Sequence, residues 1–214
     1  MTEWMWIVAG PNGAGKTTIA TQILANLHVE GLDKLNADER TLELRSKPEH
    51  QNKSQNELNL LAAQQTDAEV LEHVREGKSF FVETVLSSPK YRETVLEAKK
   101  RGFKIGLIYI SVHPPELSPA RIRLRVVKGG HDVDEAKAID RYHRSHDQLR
   151  WFAKKADTFV AMDNSDPNGN PVLIASKLAG KALVHRTKEV NPALDRVIYA
   201  LKKKKYPMPV AKAG

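Results

Sequence analysis

Apolar residues along this chain come in two rhythms. Short, dense runs at residues 5–9, 34–36, 79–82, 105–112 and 158–162 read as strands, and longer stretches between them carry apolar residues three and four positions apart. Strands alternating with amphipathic helices predict a mostly parallel sheet with helices on both faces. The helical stretches are well punctuated. Ile19, Ile23, Leu24 and Leu27 form one broad stripe. Ser54 with Glu57 makes a capping-box pattern before Leu58, Leu61 and Ala62, and Thr66 with Glu69 repeats it before Val70, Leu71 and Val74, so this stretch is one bent helix or two. Ser88-Pro89 is expected to open the next helix and Gly102 to close it, and Ser118-Pro119 to open another that runs to Gly129-Gly130. A further helix is expected from about residue 134 to 152, with Ala138, Tyr142, Leu149 and Phe152 on its apolar face. Residues 166–171 are a turn cluster and 172–175 a last short strand. Asn191 as cap and Pro192 in the first turn start a C-terminal helix, and the segment from Tyr206 onward is expected to fray. The division this implies is one α/β domain over residues 1–185, followed by a basic C-terminal helix and tail over 186–214.

Gly10-Pro11-Asn12-Gly13-Ala14-Gly15-Lys16-Thr17 fills every fixed position of G-x-x-x-x-G-K-[ST] directly behind the first strand and ahead of the first helix. Such a loop turns successive backbone N–H groups inward around phosphate oxygens. Lys16 reaches the β and γ oxygens, Thr17 can hold Mg²⁺, and the helix dipole faces the phosphates. Residues Gly10 through Thr18 are therefore the expected nucleotide-binding segment.

Composition narrows the setting more than the chemistry. Cysteine is absent, which removes disulfides and thiolate zinc sites. No basic n-region with an apolar h-region opens the chain and no apolar run reaches membrane-spanning length, so a soluble cytoplasmic protein without a membrane partner is expected. The net charge of +8 suits nucleic acid, phosphorylated small molecules or an acidic protein, and does not choose among them. Part of it is the lysine run at 202–205, where cations complement a helix C-terminus; a solvated helix end is the preferred reading over a nucleic-acid patch.

A phosphate loop does not name a reaction, so the polar residues that end the other strands matter. Asp38, after the second strand, would face the γ-phosphate from the acceptor side, where a carboxylate can take a hydroxyl proton; it could equally be an ordinary acid at a helix start. Glu83 ends the apolar run Phe80-Phe81-Val82, a place for an acid that carries Mg²⁺ or positions substrate. Arg121, Arg125 and Lys128 share one helix face, and Lys137, Arg141 and Arg144 share another across a glycine hinge holding His131 and Asp132. Two cationic faces of this kind could close over a triphosphate as a lid, or be two solvated faces.

Taken in order, the phosphate loop, Asn36-Ala37-Asp38-Glu39, Phe81-Val82-Glu83-Thr84, Arg125-Val126-Val127-Lys128-Gly129-Gly130-His131, Arg141-Tyr142-His143-Arg144-Ser145 and Asp163-Asn164-Ser165 resemble the zeta-toxin family of P-loop kinases, in particular its short stand-alone branch. The resemblance covers about residues 4–175. It implies a P-loop NTPase kinase-like α/β fold with a helical, arginine-bearing lid. The implied activity is transfer of the γ-phosphoryl of ATP, or GTP, with Mg²⁺, to a sugar hydroxyl of a UDP-linked amino sugar of the UDP-N-acetylglucosamine type. By the same resemblance Lys16 binds phosphate, Thr17 binds Mg²⁺ and Asp38 is the acceptor-hydroxyl base. Glu83, Thr84 and His131 would contact the acceptor, and Arg125, Arg141 and Arg144 would embrace the phosphates. A small antitoxin protein is the implied partner. Two other readings stay open on the residues alone: a kinase acting on a polynucleotide end, and a nucleotide-gated interaction protein with no acceptor. Nucleic acid is not the expected partner, since no basic strand interleaved with aromatics offers stacking.

Overall fold

The computed structural model of the chain describes residues 2–27, 29, 31–127 and 133–203. Its strands are β1 (Trp4–Ala9), β2 (Asp33–Asn36), β3 (Phe80–Thr84), β4 (Lys104–Ser111), β5 (Thr158–Asp163), β6 (Val172–Lys177) and β7 (Val184–His185). They form one sheet in the order β2-β3-β1-β4-β5-β6-β7, parallel from β2 through β5 and antiparallel for β6 and β7. The apolar runs of the central strands are what a sheet buried on both faces requires. Met5, Ile7 and Ala9 face one layer while Trp6 and Val8 face the other.

The helices are α1 (Lys16–Asn26), α2 (Ala37–Ser46), α3 (Gln55–Glu76), α4 (Arg92–Lys100), α5 (Leu117–Val127), α6 (Glu135–Lys155) and α7 (Pro192–Leu201). Val70 and Val74 of α3, Val95 and Ala98 of α4, Leu149 and Phe152 of α6 and Leu194 and Ile198 of α7 pack on one face of the sheet. Ile19, Ala20 and Leu24 of α1 cover the other, which is the expected two-sided arrangement. None of the described helices is long and apolar enough to cross a membrane.

Several boundaries depart from the sequence reading. α3 is one continuous helix: Ser54 and Glu57 make the capping box, but Thr66 is buried in the helix interior and Glu69 pairs with Arg40 instead. α4 starts at Arg92 rather than at Ser88-Pro89, because residues 89–91 form a turn whose Pro89 carbonyl accepts from the Arg92 N–H. α5 starts at Leu117, which puts Ser118 inside the helix; Gly129 and Gly130 lie outside the described residues. β7 is two residues long and carries too little pattern to be read. α7 begins as expected, with the Asn191 side chain accepting from the Leu194 N–H and Pro192 next. It is anchored, not detached. Leu194, Val197 and Ile198 are buried, each contributing on the order of 2 kcal/mol of transfer energy, and Asn191 Nδ2 donates to Asp163 at 2.7 Å. Lys202 is the C-cap of this helix and Lys203 follows it in a turn, while Lys204, Lys205 and the tail from Tyr206 lie outside the described residues.

Because the first five strands are parallel, their carboxyl ends share one edge. Ala9 pairs with Thr84 and with Tyr109, Asn36 with Glu83, and Ser111 with Asp163. Ligands of open α/β sheets gather at this edge, where the strand order turns back on itself beside β1.

Candidate active site

The loop leaving β1 is shaped by its glycines. Gly10 has φ 143°, and a Cβ there would sit 1.8 Å from the Ile110 carbonyl oxygen, so no other residue fits. Gly15 is left-handed at φ 80°, the N-cap of α1, and a Cβ would meet Asn164 Nδ2 at 2.7 Å. Lys16 opens α1, so the unpaired N–H groups of the first helical turn face the loop. The Lys16 ammonium donates to the Pro11 carbonyl at 3.2 Å. Burial holds its pKa below the usual lysine value, against the opposing pull of the Glu83 and Asp38 carboxylates. Thr17 Oγ1 donates to Glu83 Oε2 at 2.8 Å, and Thr18 lies exposed beside it in the same turn.

The back of the loop is buttressed. Ser118 Oγ, fully buried, donates to the Asn12 carbonyl at 2.7 Å, and Asn164 Nδ2 donates to the Ala14 carbonyl at 3.0 Å. Each ties a phosphate-loop carbonyl to a distant element without using a loop N–H as the donor. Sequence reasoning placed Ser118 only as a helix opener, and no local spacing marks a serine that acts across more than a hundred residues of chain. Asn164 was part of the resemblance motif without a role.

Asp38 sits in the first turn of α2, its N–H capped at 2.9 Å by Asn36 Oδ1. Being a helix-start acid does not take it out of the site. It lines a cleft of about 280 Å³ together with Lys16, Glu83, Thr84, Arg141 and the segment 85–88. Asp38, Val85 and Arg141 also line an adjoining hollow of about 510 Å³ with Asn12, Arg45, Arg125, Lys137 and the side-chain amides of Gln55, Asn56 and Asn59. A carboxylate and the lysine of the phosphate-loop motif thus share one cleft, and the hollow beside it is rich in cations and amides. Such a hollow suits an acceptor that carries both phosphate and hydroxyl groups.

The expected cationic lid is assembled only in part. Arg125, Lys137 and Arg141 come together. Arg144 does not join them: it is half-exposed, pairs with Asp140 one turn earlier at 2.7 Å, and lines neither volume. The reason is angular, since Arg141 and Arg144 differ by about 60° around the helix. Arg121 turns away too, donating to the Ser165 and Asp166 carbonyls at 3.5 and 3.4 Å. Lys128, His131 and Asp132 lie outside the described residues. Thr84 Oγ1 accepts from the Leu86 N–H at 3.1 Å and so shapes the segment that follows it.

Mg²⁺ is a hard cation that takes oxygen ligands and keeps several from phosphate and water. The Thr17 hydroxyl and Glu83 carboxylate, 2.8 Å apart beside the phosphate loop, fit that chemistry. No three His, Cys, Asp or Glu among the described residues converge on a metal of their own.

The profile of the Zeta toxin family matches residues 2–179. Among solved structures, AvrRxo1-ORF1:-ORF2 with ATP superposes with a TM-score of 0.65 at 15% identity, covering 100% of this chain and 66% of that one. A chain from the PezAT chromosomal toxin-antitoxin system of Streptococcus pneumoniae superposes with a TM-score of 0.55 at 16% identity, covering 80% of this chain and 70% of that one. At these identities the likeness is one of fold. An uncharacterized protein of Haemophilus influenzae is 33% identical over 69 residues, 32% of this chain and 49% of that protein. The chain thus spans just under two thirds of the AvrRxo1 chain and aligns with about half of the Haemophilus protein.

Proposed function

The chain belongs to the zeta toxin family, and from that membership and the cleft geometry we propose that it is a kinase that moves the γ-phosphoryl of ATP, or GTP, to a sugar hydroxyl of a UDP-linked amino sugar such as UDP-N-acetylglucosamine. The observation that carries the reading is the sharing of one cleft by Lys16 and Asp38. The phosphate loop cradles the β and γ phosphates, and Lys16 neutralises charge on them. Asp38 accepts the proton of the acceptor hydroxyl as its oxygen bonds to the γ phosphorus; the bond from that phosphorus to the β–γ bridging oxygen breaks, and ADP leaves with the electron pair. Arg141 and Arg125 meet the charge spread over the transferring oxygens. Thr17 and Glu83 would hold Mg²⁺, which would supply further neutralisation of the phosphates when bound. The cationic, amide-lined hollow beside the cleft receives the diphosphate of the acceptor.

AvrRxo1-ORF1 was solved with ORF2, and PezAT is a toxin-antitoxin system. By extension we propose a small protein partner that silences this chain. The deciding experiment incubates the purified protein with γ-labelled ATP, Mg²⁺, UDP-sugars, free sugars and oligonucleotides. Label on UDP-N-acetylglucosamine is the expected result. Label confined to an oligonucleotide end would replace the acceptor class, and steady hydrolysis with an unlabelled panel would end the transferase reading.

A further inference from the structure

Residues 85–88 run along the cleft as a strap between β3 and α4. Their backbone is held in a costly shape: Leu86 has φ 58°, in the left-handed region, while its side chain is 2% exposed and part of the main core. Something must over-determine that conformation. On one side the Thr84 hydroxyl accepts from the Leu86 N–H. On the other, the Val85 carbonyl accepts a 2.6 Å bond from Ser145 Oγ on α6. That bond uses the only proton of the serine hydroxyl, so the Tyr109 phenol 2.8 Å away is the donor of the second bond. Burial raises the pKa of the Tyr109 phenol, which keeps that proton in place. A directed relay results, from Tyr109 on β4 through Ser145 to Val85, with both side chains fully buried.

This bond is not needed to dock α6. Tyr142 Oη already donates to the Val112 carbonyl at 2.9 Å, and Ser111 Oγ meets His146 Nε2 at 3.0 Å, which pins the same helix to the carboxyl end of β4 and the residue after it. What Ser145 adds is a tie to the strap. It stands one helical turn after Arg141, so a single turn of α6 both presents a guanidinium to the cleft and ties the strap that lines it. We propose that Ser145 is a positioning residue that holds the strap, and through it the acceptor, in register with Asp38 and Arg141. This inference rests on the phosphotransferase reading above. Ser145 is too buried to touch substrate and acts only through the Val85 backbone.

The test compares wild type, Ser145→Ala and Tyr109→Phe as full chains, with UDP-N-acetylglucosamine and γ-labelled ATP as probes and amide hydrogen exchange as a second readout. Ser145→Ala is expected to raise the acceptor KM about fivefold or more while the ATP KM stays within about twofold. Exchange at residues 85–88 should quicken, and exchange at residues 14–18 should not. Tyr109→Phe should act in the same direction more weakly, and it carries the test if Ser145→Ala fails to fold. Unchanged acceptor KM with unchanged exchange would overturn the proposal, as would a rise in both KM values together. If wild type leaves UDP-N-acetylglucosamine unlabelled, the acceptor reading fails by itself, and exchange at 85–88 still decides whether Ser145 holds the strap.

Discussion

Thr17 Oγ1 donates to Glu83 Oε2 across 2.8 Å, joining the last residue of the phosphate loop to the penultimate residue of β3. The register between β1 and β3, with Val8 opposite Glu83, brings Glu83 to the edge from which the phosphate loop leaves β1. In the proposed mechanism Glu83 therefore stands on the metal side of the cleft as well as along the acceptor wall. Glu83→Gln is expected to raise the Mg²⁺ concentration needed for half-maximal activity by about tenfold, with metal-free ATP binding changed by less than about threefold. Titrating Mg²⁺ at fixed ATP checks it. An unchanged Mg²⁺ curve with a raised acceptor KM would move Glu83 wholly to the acceptor.

Asp38 has a different signature. Its N–H is capped by Asn36 and α2 starts normally around it, so Asp38→Asn should leave the fold and ATP affinity nearly intact. Loss of the base should lower acceptor phosphorylation by about 10² to 10⁴-fold. Parallel measurement of ATP binding by calorimetry and of transfer by label separates the two. Lys16→Ala should instead weaken binding and chemistry together, because the ammonium serves the ground state and the transition state alike.

How much of this was legible in the sequence depended on whether the signal was local. The phosphate loop is written in consecutive residues, and its glycine conformations follow from the motif. That Asp38 and Glu83 would lie near Lys16 is legible because parallel strands deliver their ends to one edge, with Glu83 near the end of β3 and Asp38 in the helical turn just after β2. The arginines were harder: helical spacing named a stripe, but it could not tell Arg141, which faces the cleft, from Arg144, which has a nearer partner in Asp140. Ser118 is legible only as a helix opener and Ser145 only as part of the resemblance; the contacts of both are beyond reach, since each acts on a backbone carbonyl far away in sequence.

Ser118 offers a test of the loop's support. Ser118→Ala removes the donor to the Asn12 carbonyl and leaves that buried oxygen unpaired, at a cost of about 1–3 kcal/mol. Part of that cost falls on the conformation that binds phosphate. ATP affinity should drop about fivefold or more, with the largest loss for the triphosphate and little for nucleoside contacts. A calorimetric series of ATP, ADP and adenosine measures it, and equal losses across the series would place the effect elsewhere.

The helix that carries Arg141 also carries a pH limit on stability. His146 is buried with its Nδ1–H donated to the Tyr142 carbonyl at 2.9 Å and its Nε2 accepting from Ser111, an arrangement that uses the neutral ring completely. The rings of Tyr109 and Tyr142 pack against it. Burial, chiefly, lowers its pKa from 6.5 to about 4; the Tyr142 carbonyl and Asp147 oppose that shift, and the neighbouring His143 and His113 add to it. A depressed folded-state value means the unfolded chain takes up the proton first as pH falls. The contribution of His146 to stability is full above about pH 6.5, declines from there to about pH 4, and is level below, a loss on the order of 3 kcal/mol from this one group. Urea unfolding midpoints measured across that window should show the slope, and His146→Asn, which cannot titrate, should flatten it while lowering stability at neutral pH. A variant that kept the wild-type acid slope would assign the proton uptake to a different group.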